Sequence, residues 1–223
     1  LSGTLRGDDV NQPADWGGDI KVDLQYADLT AWSPWLHLPA QIKRGHGGVS
    51  TWFAFDQARL RQGVLTLDVA DAAVQFATDL PVLSLQRLKG EVDLRSITGG
   101  HAISLRQMFL EPAHGPVLRQ KLLTLERTRD SRLPGTRLAL TADSVQLADW
   151  LAYSEYLPLG DEARVYLNGL KPSGQLSQIR AALSMPADPG AAPRLELNAA
   201  FDGLTVTAFR DINPQAPTHI LIV

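Results

Sequence analysis

A mainly β fold is what this sequence predicts: an antiparallel meander of about ten strands with a few short α-helices. Three observations carry it. Apolar and polar side chains alternate with a period of two along most of the 223 residues, turn-forming clusters recur at hairpin spacing, and helical periodicity is confined to short stretches. The composition is that of a globular chain, 44% hydrophobic and 20% charged, with a formal net charge of −3. That balance offers no basic field to hold a polyanion, which sets nucleic-acid binding aside. There is no cysteine, so thiol nucleophiles, thiolate metal sites and disulfides are excluded. No apolar run approaches the roughly 20 residues of a membrane-spanning helix. The chain opens at Leu1 without a signal segment and reads as a piece of a larger protein.

In chain order, Ile20, Val22, Leu24 and Tyr26 alternate with Asp19, Lys21, Asp23 and Gln25, giving one apolar and one wet face. Thr30 is placed to cap a short helix whose Trp32, Trp35 and Leu36 fall at i, i+3 and i+4, with Pro34 in its first turn. Alternation resumes at Leu65, Leu67 and Val69, then at Leu88, Val92 and Leu94, and again at Ile103, Leu105 and Phe109. Two of these runs change parity, near 70–73 and near Gln86-Arg87, where either a bulge turns the strand or the strand ends. Leu138, Leu140 and Ala142 make the next run. Leu147, Trp150, Leu151 and Ser154 then adopt helical spacing until Pro158 stops it. Asp161 and Glu162 open a third helix, with Ala163, Tyr166 and Leu167 on one side and Asn168-Gly169 as its close. The last runs are Ile179, Ala181, Leu183 and Met185; Leu195, Leu197, Ala199 and Phe201; and Leu204, Val206 and Ala208. Thr98-Gly99-Gly100, Leu133-Pro134-Gly135 and Asp188-Pro189-Gly190 mark turns, and Asp202-Gly203 is a two-residue hairpin signal. No linker or low-complexity tract divides the chain, so residues 1–223 are read as one domain, with 187–193 its longest internal loop.

An area comparison constrains how the apolar faces are covered. Strands about 25 Å long at ~4.8 Å spacing give one sheet face of roughly 1,200 Å². Three short helices shade roughly 450 Å² of it. The sheet either folds back on itself as a sandwich or closed barrel, or it stays open and curved around something apolar that is not this chain.

Catalytic chemistry is not visible. There is no Gly-x-Ser-x-Gly elbow, so Gly45-His46-Gly47-Gly48 has no nucleophile to serve and is read as a glycine-rich turn. His37, His46, His101, His114 and His219 are scattered, which leaves no metal-ligand spacing. Asp161-Glu162 is explained by the helix dipole. No phosphate or dinucleotide fingerprint is present. The reading is therefore of a non-enzyme with no cofactor and no metal. Trp150 is expected in the core between helix and sheet, whereas Trp32, Trp35 and Trp52 suit either a core or a lipid boundary.

Several phrases resemble one family. Leu38-Pro39-Ala40, Ile42-Lys43-Arg44-Gly45-His46-Gly47 and Trp52 are similar to the opening of the periplasmic region of the YhdP family of AsmA-like proteins. Leu80-Pro81-Val82-Leu83-Ser84-Leu85 with Leu88-Lys89-Gly90-Glu91-Val92 resembles its next signature. Leu157-Pro158-Leu159, then Leu167-Asn168-Gly169-Leu170-Lys171-Pro172-Ser173-Gly174, resemble the family's helix-and-turn element. Phe201-Asp202-Gly203-Leu204 resembles its returning strands, so that the likeness spans about residues 19–208.

This resemblance implies a strongly curved antiparallel sheet forming an open groove, one section of a bridge-type lipid carrier. It also implies a periplasmic location in a Gram-negative bacterium, an N-terminal anchor in the inner membrane outside this sequence, and delivery toward the outer membrane. Phospholipid is the implied partner, and exposed sheet edges allow edge-to-edge self-association of the fragment. The groove lining is then assigned to Ile20, Val22, Leu24, Leu65, Leu67, Val69, Leu88, Val92, Leu94, Ile103, Leu105, Leu138, Leu140, Leu183, Leu195, Leu197 and Phe201. The competing reading is a non-catalytic β-sandwich scaffold or protein-interaction domain of the cell envelope.

Overall fold

The structure is a computed structural model and describes residues 1–7, 9, 13–32, 41–57, 59–129, 135–188 and 190–207. Ten strands form one sheet in which spatial order equals chain order. They are β1 (Ser2–Arg6), β2 (Gly17–Asp28), β3 (Gln41–Asp56), β4 (Arg59–Gln75), β5 (Leu83–Ile97), β6 (Gly100–Pro112), β7 (Leu118–Arg129), β8 (Gly135–Gln146), β9 (Ser173–Pro186) and β10 (Arg194–Thr205). All neighbours are antiparallel. Among the described residues β1 pairs only with β2 and β10 only with β9, so the sheet is open and curved, neither a barrel nor a sandwich.

The strands are longer than expected. β2 to β10 run 12 to 17 residues, roughly 40–55 Å each at strand rise. The shorter expectation arose because features read as breaks lie inside strands. Gly45-His46-Gly47-Gly48 is not a turn but part of β3. A Cβ on Gly47 would stand 2.2 Å from the Asp68 carbonyl oxygen, so only glycine allows β3 to approach β4 there. Asp202-Gly203 is likewise not a hairpin: β10 continues through it along β9, with a register shift between Asp202 and Thr205 and Gly203 at φ 59. A left-handed glycine serves a bulge as well as a turn, and here it serves the bulge.

The parity changes are bulges too, and together with further irregularities they fall within a few residues of one another in a band that creases the sheet. Asp71 in β4, Gln107 in β6 and Gln178 in β9 take φ values of 49, 50 and 52. β2 shifts register between Leu24 and Ala27, β3 around Arg44, β5 between Leu85 and Arg87, and β10 between Asn198 and Ala200. Val69 and Ala72 are three residues apart, and an unbroken strand would send them to opposite faces; with Asp71 between them both enter the same buried core.

Beyond the crease the apolar face is covered. α2 (Leu147–Tyr153), continued by a 3₁₀ turn (Ser154–Tyr156), brings Tyr153, Trp150 and Tyr156 against Val69, Ala72, Leu83, Leu85 and Leu118. The Tyr153 hydroxyl donates to the Pro116 carbonyl at 2.9 Å. Trp150 thus sits in the core, as expected. Leu29 of α1 (Leu29–Trp32) packs on the same cluster. Here Asp28, not Thr30, makes the cap: its carboxylate accepts the Thr30 N–H at 2.9 Å and the Thr30 hydroxyl at 2.6 Å. Trp35 and Leu36 lie outside the described residues. α3 (Asp161–Leu170) runs through Asn168-Gly169 and ends at Lys171, which takes the left-handed cap conformation itself (φ 43) and donates its N–H to the Leu167 carbonyl at 2.9 Å.

Candidate functional site

On the other side of the crease the apolar face has no cover among the described residues. Directly opposed residues of antiparallel neighbours share a face, so the register alone traces rows across the sheet. One row takes a residue from each of nine strands: Ile20, Phe53, Gly63, Leu94, Ile103, Leu125, Leu140, Ala181 and Leu197. The next is Val22, Thr51, Leu65, Val92, Leu105, Leu123, Ala142 and Ile179. A third begins Leu24, Val49, Leu67 and Gly90. On the far side of the first row lie Ser96, His101, Arg127, Leu138, Leu183 and Leu195. Eight inter-strand steps of ~4.8 Å make the first row roughly 38 Å long.

Fourteen of the seventeen residues expected to share a lining fall in these four rows. The others are Val69 and Leu88, a directly opposed pair, and Phe201, opposite Leu176 beyond the bulge of β10. Val69 is completely buried beneath α2, which makes it core, and Leu67 and Leu88, expected in the lining, pack against that same core cluster. The remaining residues are half-buried or exposed: Ile103 is 41% accessible and Leu197 40%. Sequence reasoning missed Phe53, Leu123 and Leu125. Leu123 and Leu125 alternate with Thr124 and Glu126, a signal that was readable; Val49, Thr51, Phe53 and Phe55 also alternate but come directly after the glycines taken for a turn.

A depression of about 450 Å³ opens on this face, walled by Leu60, Leu94, Ile103, Leu125 and Leu138, with Ser96, His101 and Arg127 at its margin. The opposite face is polar. Asp93, 5% exposed, lies between Arg95 at 3.4 Å and Arg106 at 3.5 Å. Ser104 and Thr124 share a hydrogen bond of 2.9 Å. Arg87 pairs with Asp68 at 3.0 Å, and its hydrogen bond holds the Asp68 carboxyl below the usual carboxylate range. A larger depression, about 960 Å³, crosses β2 to β7; Asp23, Ser50, Thr66, Glu91 and Arg106 of the polar face are in its wall. Its charges are of both signs, and Lys89 with Asp68 and Arg106 with Glu91 pair across it.

Among the described residues no three His, Asp or Glu side chains converge as a metal set, and no helix is long and apolar enough to cross a membrane. The arrangement is suited to burying apolar matter against a broad strip. No curated protein and no solved structure matches the chain. The family model described as YhdP protein matches residues 1–216, nearly its whole length, and the chain belongs to that family.

Proposed function

We propose that the open apolar face carries lipid acyl chains and that this chain is a section of a lipid-transport bridge. On this reading it conducts phospholipid through the periplasm between the inner and outer membranes, and the whole of 1–223 acts as one groove section. The observation that carries it is the unbroken apolar row from β2 to β10, reinforced by family membership. Each methylene moved from water onto such a strip gains about 0.8 kcal/mol. Because neighbouring rungs offer similar Leu, Ile and Val surfaces, a chain gains much by staying on the strip and loses little by shifting one rung along. No catalytic group is required.

The test is lipid extraction from the purified protein, with identification by mass spectrometry. Phospholipid is expected with the native chain, and at least tenfold less with Val92→Asp, whose circular dichroism should be unchanged because the position is only half-buried. A native chain free of lipid that instead captures a protein partner would favour the scaffold reading.

A further inference from the structure

The margin of the apolar face carries basic side chains that, among the described residues, meet no carboxylate. His101 and Arg127 are directly opposed on β6 and β7, and both border the 450 Å³ depression. Arg129, two residues along β7, projects from the same face. All three are exposed, and among the described residues none of their side chains has a hydrogen-bond or ion-pair partner. By contrast, Arg61, Arg87, Arg95 and Arg106 each meet a carboxylate. Among the described residues no carboxylate borders the depression. Ser96, in the same wall, already donates its hydroxyl to the Leu60 carbonyl at 2.8 Å, so the available side-chain donors there are those of His101 and Arg127.

We propose that His101 and Arg127, with Arg129 beside them, bind the phosphate of a phospholipid whose acyl chains lie over Leu94, Ile103, Leu125 and Leu138. This rests on the conduit reading and adds a headgroup preference to it. A guanidinium presents a fork of N–H donors that matches two phosphate oxygens. Its place at the margin lets the phosphate remain hydrated while the chains enter the apolar strip. With the Arg127 and Arg129 guanidiniums here and, among the described residues, no carboxylate on this wall, a lipid of net negative charge is favoured over a zwitterionic one, and both over a lipid that lacks phosphate.

The test compares fluorescent phosphatidylglycerol with fluorescent diacylglycerol of the same acyl chains, each titrated against the whole chain. Phosphatidylglycerol should bind about tenfold more tightly. The double variant R127E/R129E should abolish that preference while leaving diacylglycerol binding unchanged, and Arg127→Lys should keep part of it. Unchanged diacylglycerol binding also reports that the variants are folded. Equal binding of the two lipids by the native chain, or a preference that survives R127E/R129E, overturns the headgroup site and leaves the conduit standing. Binding of neither lipid overturns both. Displacement of phosphatidylglycerol by millimolar inorganic phosphate would mark a site for free anions and overturn the lipid assignment.

Discussion

At Gln120 the sheet substitutes a side chain for backbone pairing. The β7–β8 ladder runs from Arg129–Thr136 to Leu123–Ala142 and stops. Where the strands part, Gln120, only 2% exposed, directs its amide Nε2 to the Leu122 carbonyl (2.8 Å), the Asp143 carboxylate (2.9 Å) and the Ser144 carbonyl (3.0 Å). Asp143 in turn accepts the Leu122 N–H at 3.1 Å. Gln120→Leu keeps the bulk but takes the donor from part-buried acceptors, which should cost about 1–3 kcal/mol in urea unfolding. Double-mutant analysis with Asp143→Ala should give a coupling above about 0.5 kcal/mol; strict additivity would mean that the two side chains act independently. The exposed carboxylates predict a pH response. Asp23, Asp28 and Asp68 are lowered from 3.8, chiefly by hydrogen bonds from Ser50, Thr30 and Arg87 respectively. A carboxyl lowered in the folded state stabilises it above the unfolded value, and that gain disappears as pH falls through the lowered folded values. The thermal midpoint should therefore be flat near neutrality and fall below about pH 4, with a shallower fall in Asp68→Asn. A midpoint that rises on acidification would contradict the assignment.

The crease is a property of the strands taken together, and it explains both what the sequence disclosed and what it concealed. Period-two alternation disclosed the antiparallel strands and their apolar faces, because register fixes every other side chain once one is fixed. It concealed strand length. A bulge inverts parity and places glycine or a left-handed residue in mid-strand, the same local marks that a turn leaves. Gly203 is such a mark, and Gly47, which marks a close approach of two strands, leaves the same trace in the sequence. The helix ends were concealed for a related reason: Lys171 holds the left-handed conformation that glycine usually supplies, and Asp28 caps from a position already in β2. If Asp71, Gln107 and Gln178 are held left-handed by the crease, glycine should relieve them. Gln178→Gly should raise stability by about 0.5–1 kcal/mol, while β-branched Gln178→Val should lower it by more than about 1 kcal/mol. Gly47→Ala should be worse, since its methyl meets the β4 backbone, which cannot yield without breaking pairs. Chemical denaturation measures all three, and a neutral Gly47→Ala would show that β3 and β4 can separate there at no cost.

For the whole molecule, the decisive ratio is sheet area to cover. Nine strands of about 40 Å or longer, with the short β1 beside them, present roughly 1,800 Å² on each face at ~4.8 Å spacing. Helices of 4, 7 and 10 residues could shade only about 300 Å². An apolar strip of that size is rare on a protein with nothing to place on it. The face was legible in the sequence because its residues repeat along each strand; the cationic margin was not, because His101 and Arg127 are 26 positions apart and only the β6–β7 register joins them. A conduit and a fixed pocket differ in how damage combines. In a conduit every lipid passes every strand, so one charge anywhere on the strip stops the flow. In the full-length protein, Val22→Asp on β2, Leu105→Asp on β6 and Leu197→Asp on β10 should each reduce lipid transfer between donor and acceptor vesicles at least tenfold. The pair Val22→Asp and Leu197→Asp should do little more than either alone, and Thr141→Asp, on the polar face, should leave transfer unchanged. A loss confined to one of the three strands, or one that multiplies in the pair, would describe a local binding pocket and end the conduit reading.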